Sequence, residues 1–320
     1  MAGVSRSFVG ALAGALAAVQ IGAATGERRM TNASNVRVRS APATSASIEA
    51  GLPLGSELVT LERTNGSEPW YHVRTDDGHD GWVLGRLTTP FELERRDQTI
   101  ESIVVARLQS GGSFATLLQL FNLIERTAAR LNDREAQARF GLYRLRSMSS
   151  VLGEVPFRRG NTDPYAGWIR EHQDAARYNE PGGQWMVDPS YIKGVHEKHR
   201  DTAAADDIAW LFVVNGKYGE CEGDIPCYVD WRNQLNGWYL QSHPRGRHTD
   251  ESNADIALKL NGAMDNLLRF PLVLGEFNPA ARCGELHRSL DPLTAAVTAS
   301  VSGRKADAIA AIERFAQLCR

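Results

Sequence analysis

The sequence predicts a multidomain α+β protein, with a small all-β barrel first and a larger all-α region after it. Three observations carry this expectation. Residues 35–87 are short β-rich runs separated by turn signals. From residue 113 onward, apolar side chains recur mainly at helical spacing. Cys221, Cys227, Cys283 and Cys319 are even in number and confined to the carboxy-terminal part, as in a disulfide framework. A chain of 320 residues is long enough for two cores, and 42% hydrophobic with 23% charged residues is ordinary for a globular protein. The formal net charge of -2, with cations spread along the chain, gives no reason to expect nucleic acid or an anionic membrane surface as partner.

The expected order is a leader at 1–26, a barrel at 30–90, a linker at 91–112 and a helical region at 113–320. Met1–Arg6 carries one positive charge, and Ser7–Ala24 is uncharged, rich in Ala, Leu, Val and Gly, and exits into small residues. That is the pattern of a secretory signal peptide, too short and too glycine-rich for a comfortable membrane span. It is preferred to an uncleaved amphipathic tail or a true start at Met30. No cysteine follows it that a lipid could modify. A periplasmic or secreted location is therefore expected, with no membrane span after the leader is removed. Disulfides suit that compartment.

In the barrel, Val36 and Val38 alternate with Arg37 and Arg39, and Leu58–Leu61 and Tyr71–Arg74 are further β-rich runs. Asp76-Asp77-Gly78 is a tight-turn sequence. Five or six strands are expected, with Trp82, Tyr71, Val73, Val59 and Leu61 carrying most of the core, and with Gly81 where a side chain would crowd the indole or the bend. Trp70, His72 and Arg74 fall on the face opposite Tyr71 and Val73, so they are candidate ligand contacts. Arg37 and Arg39 are candidates for holding a carboxylate by a charge-assisted contact. The order Asn35–Pro42, Leu54-Gly55-Ser56, Trp70–Val73 and Gly78 through Gly81-Trp82-Val83 resembles the bacterial SH3 family. That resemblance implies a small barrel that binds cell-wall or protein ligands rather than a catalyst.

The region 113–320 starts with a helical pattern over Phe114–Leu131, and Asn132-Asp133 breaks it and caps the next helix. Loops are expected at Gly153–Asp163 and Asn179–Gly183, and helices at Ala204–Phe212, Tyr228–Gln241 and Asp250–Leu268. Between the last two, Pro244 stops one helix, Gly246 turns the chain and Thr249 or Asp250 caps the next. This junction, Tyr239–Ser252, resembles that of tetratricopeptide-like repeats, over about one repeat only. An irregular bundle is the safer reading than a regular solenoid. The natural cysteine pairing is Cys221–Cys227 and Cys283–Cys319, worth roughly 2.4 and 3.8 kcal/mol in the chain-entropy model.

The chemical motifs weigh against catalysis. Val195-His196-Glu197-Lys198-His199 is one residue short of a zincin helix and reads as a solvated basic helix end. Ser190-Tyr191-Ile192-Lys193 matches the Ser-x-x-Lys of penicillin-recognising enzymes but lacks their Lys-Thr-Gly strand, so Ser190 is expected to begin a helix. Cys283 with His287 lacks the small strained turn of a cysteine nucleophile. No cofactor and no metal are expected. The expectation is an exported, non-catalytic cell-envelope protein that binds peptidoglycan or an envelope protein or peptide, with the helical region as scaffold. The alternatives are a cell-wall hydrolase targeted by the barrel, drawing on carboxylates such as Glu197, Glu220 or Glu276, and an inhibitor or partner of another envelope protein.

Overall fold

The computed structural model describes residues 21–22, 26–180, 182–216, 221, 224–269 and 278–320. The chain divides after Ile103 into two compact units. Most of the expected leader, like Glu220 and Glu276, lies outside the described residues.

The first unit is an antiparallel sheet of β2 (Arg28–Thr31), β3 (Val36–Arg39), β4 (Ile48–Leu52), β5 (Glu57–Thr64), β6 (Trp70–Thr75), β7 (Asp80–Leu84) and β8 (Thr88–Pro90), in the order β4-β3-β7-β6-β5-β2-β8. A two-residue strand β1 (Ile21–Gly22) pairs with β5 as well. The strand count exceeds the expected five or six because β2 (Arg-Arg-Met-Thr) and β8 (Thr-Thr-Pro) carry no alternation of apolar and polar residues. The β6–β7 hairpin turns where Asp76-Asp77-Gly78 predicts it. Gly78 has φ +87°, its N–H meets the Thr75 carbonyl at 3.0 Å, and Thr75 Oγ1 accepts from His79 N at 2.9 Å.

Val36, Val38, Leu52, Leu58, Tyr71, Val73 and Val83 form the core of this unit. Tyr71 and Val73 are where the alternation puts them. Val59 and Leu61 are not in that core: Leu58 and Thr60 point inward instead, and the register shifts between Thr60 and Glu62. The run Leu58–Leu61 is apolar at both parities, so alternation alone leaves its inward face ambiguous. Arg29, 6% exposed, is fully engaged. Its guanidinium stacks 3.9 Å from the Tyr71 ring, pairs with Glu27 at 2.6 Å and donates to Thr88 Oγ1 at 2.8 Å.

Within the expected linker, residues 96–108 form helix α1 (Arg96–Leu108), so the connector is mostly helical. Its run Ile100, Ile103, Val104 has helical spacing, and all three are buried. The second unit continues with α2 (Phe114–Ala128), α3 (Arg134–Gly153), α4 (Ala166–Glu171), α5 (Pro189–His199), α6 (Ala205–Asn215), α7 (Ile225–Arg232), α8 (Trp238–Ser242), α9 (Thr249–Arg269), α10 (Pro279–Ala299) and α11 (Lys305–Ala316). Asp133 caps α3 by accepting from Ala136 N at 2.7 Å, and Ser113 caps α2. A π-helical turn, Asn233–Gly237, joins α7 to α8, so the helix expected over Tyr228–Gln241 is continuous but underwound in its middle. The helices pack as an irregular bundle whose core includes Phe121, Leu145, Phe212, Tyr239 and Phe315.

This unit is not purely helical. Strands β9 (Ala176–Asn179) and β10 (Gln184–Val187) form an antiparallel hairpin around the expected Asn179–Gly183 loop, and β10 packs on α3. Ala176 and Val187 are buried in the bundle core, so the hairpin is held by tertiary burial rather than by a local strand pattern. Both cysteine pairs sit at disulfide distance, with Cα–Cα separations of 5.6 Å for Cys221–Cys227 and 5.7 Å for Cys283–Cys319. Among the described residues no helix is long and apolar enough to cross a membrane.

Candidate ligand-binding face

Strand alternation sends Val36, Val38, Tyr71, Val73 and Val83 inward and leaves the intervening residues of β3, β6 and β7 on the outer face. The register then sets these outward residues side by side. Arg39 on β3 is opposite Trp82 on β7, Trp82 is opposite His72 on β6, and His72 is opposite Glu62 on β5. Ile48 on β4 pairs with Arg39 and is 52% exposed. The result is a transverse row of an aliphatic, a cation, an indole, an imidazole and a carboxylate.

All five residues expected to contact ligand lie on this face. Trp70 and Arg74 flank His72 along β6, each about 7 Å from it by the rise of a strand. His72 stacks on the Trp82 indole with ring centroids 5.1 Å apart and planes at 27°. Trp70 is half-buried, and its backbone N–H is held by Thr64 Oγ1 at 2.9 Å. Arg74 is exposed and paired with Asp80 at 2.8 Å. The Asp80 carboxylate hydrogen-bonded to that guanidinium sits below the usual carboxylate range. Arg39 donates to the Ala46 carbonyl at 2.6 Å, which orients its guanidinium, whereas Arg37 is exposed. Arg39 is thus the positioned cation of the two and Arg37 the solvated one.

Trp82 is buried, 8% exposed, as expected of a core residue, but it lies outside the inward cluster, because Val83 occupies the inward position and Trp82 the opposite one. The segment Asp80–Leu84 is apolar at four consecutive positions, so both registers are hydrophobic and alternation does not choose between them. A side chain at Gly81 is excluded, as expected, but by β3 rather than by the indole. A Cβ there would lie 2.6 Å from Val38 Cγ1 and 2.7 Å from the Arg39 carbonyl, so the crowding comes from β3.

The motifs of the helical unit are engaged in structure. Asp188 caps α5 through Ser190 N at 2.7 Å and also binds the Ser190 hydroxyl. Lys193 places its ammonium 4.5 Å from the Phe212 ring centroid and 5.0 Å from that of Trp238. Ser190 and Lys193 are therefore committed to different partners. Cys283 is bonded to Cys319, and His287 faces Asp291 at 3.5 Å. Glu197 is exposed and paired with Arg200 at 2.8 Å.

The end of α5 is not a solvated basic stretch, since His196 and His199 are 7% and 5% exposed. His196 Nε2 meets His243 Nε2 at 2.9 Å, and the ring packs edge-on against Trp238. A hydrogen bond between two imidazoles needs one donor and one acceptor, so double protonation breaks it. Burial holds all three histidines below their ordinary pKa. His243 reinforces this at His196 against Glu197, Lys198 and Arg134 reinforce it at His199 against Asp201, and Asp206 opposes it at His243. The unfolded chain then binds more protons than the folded one below about pH 6.5. Stability is expected to be complete above that pH and to fall as pH drops toward the folded-state values. Urea midpoints that stay flat between pH 7.5 and 5 in the parent, or a slope that survives in a His196→Gln/His243→Gln/His199→Gln variant, contradict this.

Among the described residues no group of three or more His, Cys, Asp or Glu side chains is placed to hold a metal ion. Residues 34–89 match the family model of the bacterial SH3 domain, a span that includes every strand contributing to the transverse row. No curated protein and no solved structure matches the chain.

Proposed function

Proceeding from a bacterial SH3 domain at residues 34–89, we propose that the protein is an exported, non-catalytic component of the cell envelope. Its barrel binds peptidoglycan or an envelope peptide through the outer face of β3, β6 and β7. The single observation that carries this reading is that the matched domain presents Trp70, the stacked His72 and Trp82, and the cations Arg37 and Arg39 on one side of its sheet. An aromatic platform with adjacent guanidinium groups suits a ligand with a flat or apolar body and a carboxylate. The leader pattern at 1–26 and the two cysteine pairs at disulfide distance support export. The helical unit serves as scaffold.

The test is retention of the full chain, with its leader removed, on purified cell-wall sacculi. Trp70→Ala is expected to weaken retention about tenfold, the loss of one aromatic anchor. Retention no better than that of a control protein of similar charge removes the wall-binding reading. Retention unchanged in Trp70→Ala moves the contact off this face.

A further inference from the structure

In the helical unit a groove of about 630 Å³ runs between α3 and α5, within the size range of small-molecule sites. Its floor contains two helix-interior glycines, Gly141 on α3 and Gly194 on α5. Glycine inside a helix costs about 1 kcal/mol relative to alanine, so each needs a reason. Packing does not supply one. A Cβ on Gly194 would have nothing within 4 Å, and one on Gly141 would make ordinary contacts of 3.5–3.6 Å with Val195 and His199. What the glycines do is keep the groove open, with Phe140 and Val195 as its apolar lining.

The polar groups along the groove are unevenly satisfied. Arg144 is already neutralised by Glu125 and bonded to the Tyr191 hydroxyl, so it frames the wall rather than waiting for a ligand. Asp174 and Lys198 are exposed and border the groove, with the Asp174 carboxylate acting on the Tyr191 hydroxyl and the Lys198 ammonium on His199. His199, 5% exposed, also lines it, and its Nδ1 has no hydrogen-bond partner among the described residues. These two opposite charges lie at opposite ends. Asp174 is held at the start of α5, where Asp188 N bonds the adjacent Ala175 carbonyl at 2.7 Å, and Lys198 is in the last turn of that helix. At 1.5 Å per helical residue this separates them by about 10–15 Å along the groove.

We infer that this groove binds a short peptide with both termini free, its ammonium at Asp174 and its carboxylate at Lys198. An extended chain covers roughly 3.3–3.6 Å per residue, so about three to four residues span the two charges. A single amino acid is too short to reach both. The apolar lining takes the central side chain. This site is separate from the face of the barrel and does not depend on it.

The experiment is calorimetric titration of the full chain with Ala-Leu-Ala in free, N-acetylated, C-amidated and doubly blocked forms. The free tripeptide is expected to bind saturably, with affinity falling about tenfold for each terminus blocked. Asp174→Ala is expected to abolish the penalty for N-acetylation, and Lys198→Ala that for C-amidation. Gly194→Leu fills the groove and should eliminate binding while keeping thermal stability at or above that of the parent, since leucine is the better helix former. Trp70→Ala should leave tripeptide binding unchanged, which separates this site from the barrel. No saturable binding of the free peptide overturns the inference. So does equal binding of the doubly blocked form, full binding by a folded Gly194→Leu variant, or loss of binding in Trp70→Ala.

Discussion

Asp206→Ala is expected to lower the stability of the helical unit by about 3–5 kcal/mol, a large share of what a domain commonly has. The carboxylate, 13% exposed, is the hub of the junction between α8 and α9. It accepts from the Tyr239 hydroxyl at 2.6 Å and from Arg247 N at 2.6 Å, and the same hydroxyl accepts from His248 N at 3.0 Å. Tyr239 is fully buried, so its hydroxyl has no water to turn to once the carboxylate is gone. Each orphaned donor costs about 1–3 kcal/mol. Gly246 belongs to the same arrangement, because a Cβ there would collide with both the Tyr239 hydroxyl and Asp206. Burial pushes the Asp206 carboxyl upward, but the Tyr239 and Arg247 donors, with His243 and His248 nearby, outweigh it and hold it below the ordinary value. Its contribution is therefore present above about pH 4 and disappears as pH falls through the lowered folded-state value. Urea unfolding at pH 7 measures the effect, and Tyr239→Phe should be strongly non-additive with Asp206→Ala. A change within about 0.5 kcal/mol for Asp206→Ala would sink this account of the junction.

Gly81→Val is expected to unfold the sheet of the first unit. The added Cβ would fall 2.6 Å from Val38 Cγ1 and 2.7 Å from a backbone oxygen, that of Arg39. A side chain can rotate away, but the oxygen moves only if β3 separates from β7, where Arg39 pairs with Trp82. That pairing also builds the candidate ligand face. With so small a core, a penalty of about 4 kcal/mol or more exceeds what the unit can absorb. Amide exchange across residues 36–84 is the measurement, and protection should be lost throughout that span. Gly51→Ala on β4 is the control, since a Cβ there meets nothing within 4 Å. Parent-like protection in Gly81→Val would show that β3 and β7 are not packed as described.

Much of the fold was legible in the chain. Gly78 at its turn, Asp133 at its cap, Pro244 ending α8 and both cysteine pairs follow from residue types at fixed local spacing. Such signals act over a few residues, or through a pairing with few alternatives. The candidate face was legible where alternation was clean: Trp70, His72 and Arg74 against Tyr71 and Val73. It was not legible at Asp80–Leu84, where tryptophan, valine and leucine are consecutive and either parity is apolar. The burial of Trp82 is legible there, but the side of the sheet it faces is not. The hairpin β9–β10 escaped for a related reason, because its strands are short and gain their burial from α3 and the surrounding core.

By itself, then, the sequence determined the two-part architecture, the strand-rich first unit with its aromatic and basic residues, and a preferred pairing among the three open to the sulfurs. Local propensity, turn chemistry and loop closure decide these, and all are written along the chain. Only the tertiary structure decided that Trp82 joins His72 on the outer face, that His196 meets His243, that Asp206 anchors Tyr239, and that two helix-interior glycines open onto one groove. Each of these brings together residues distant in sequence. Their energies come from burial and cross-element register, which exist only once the elements have packed.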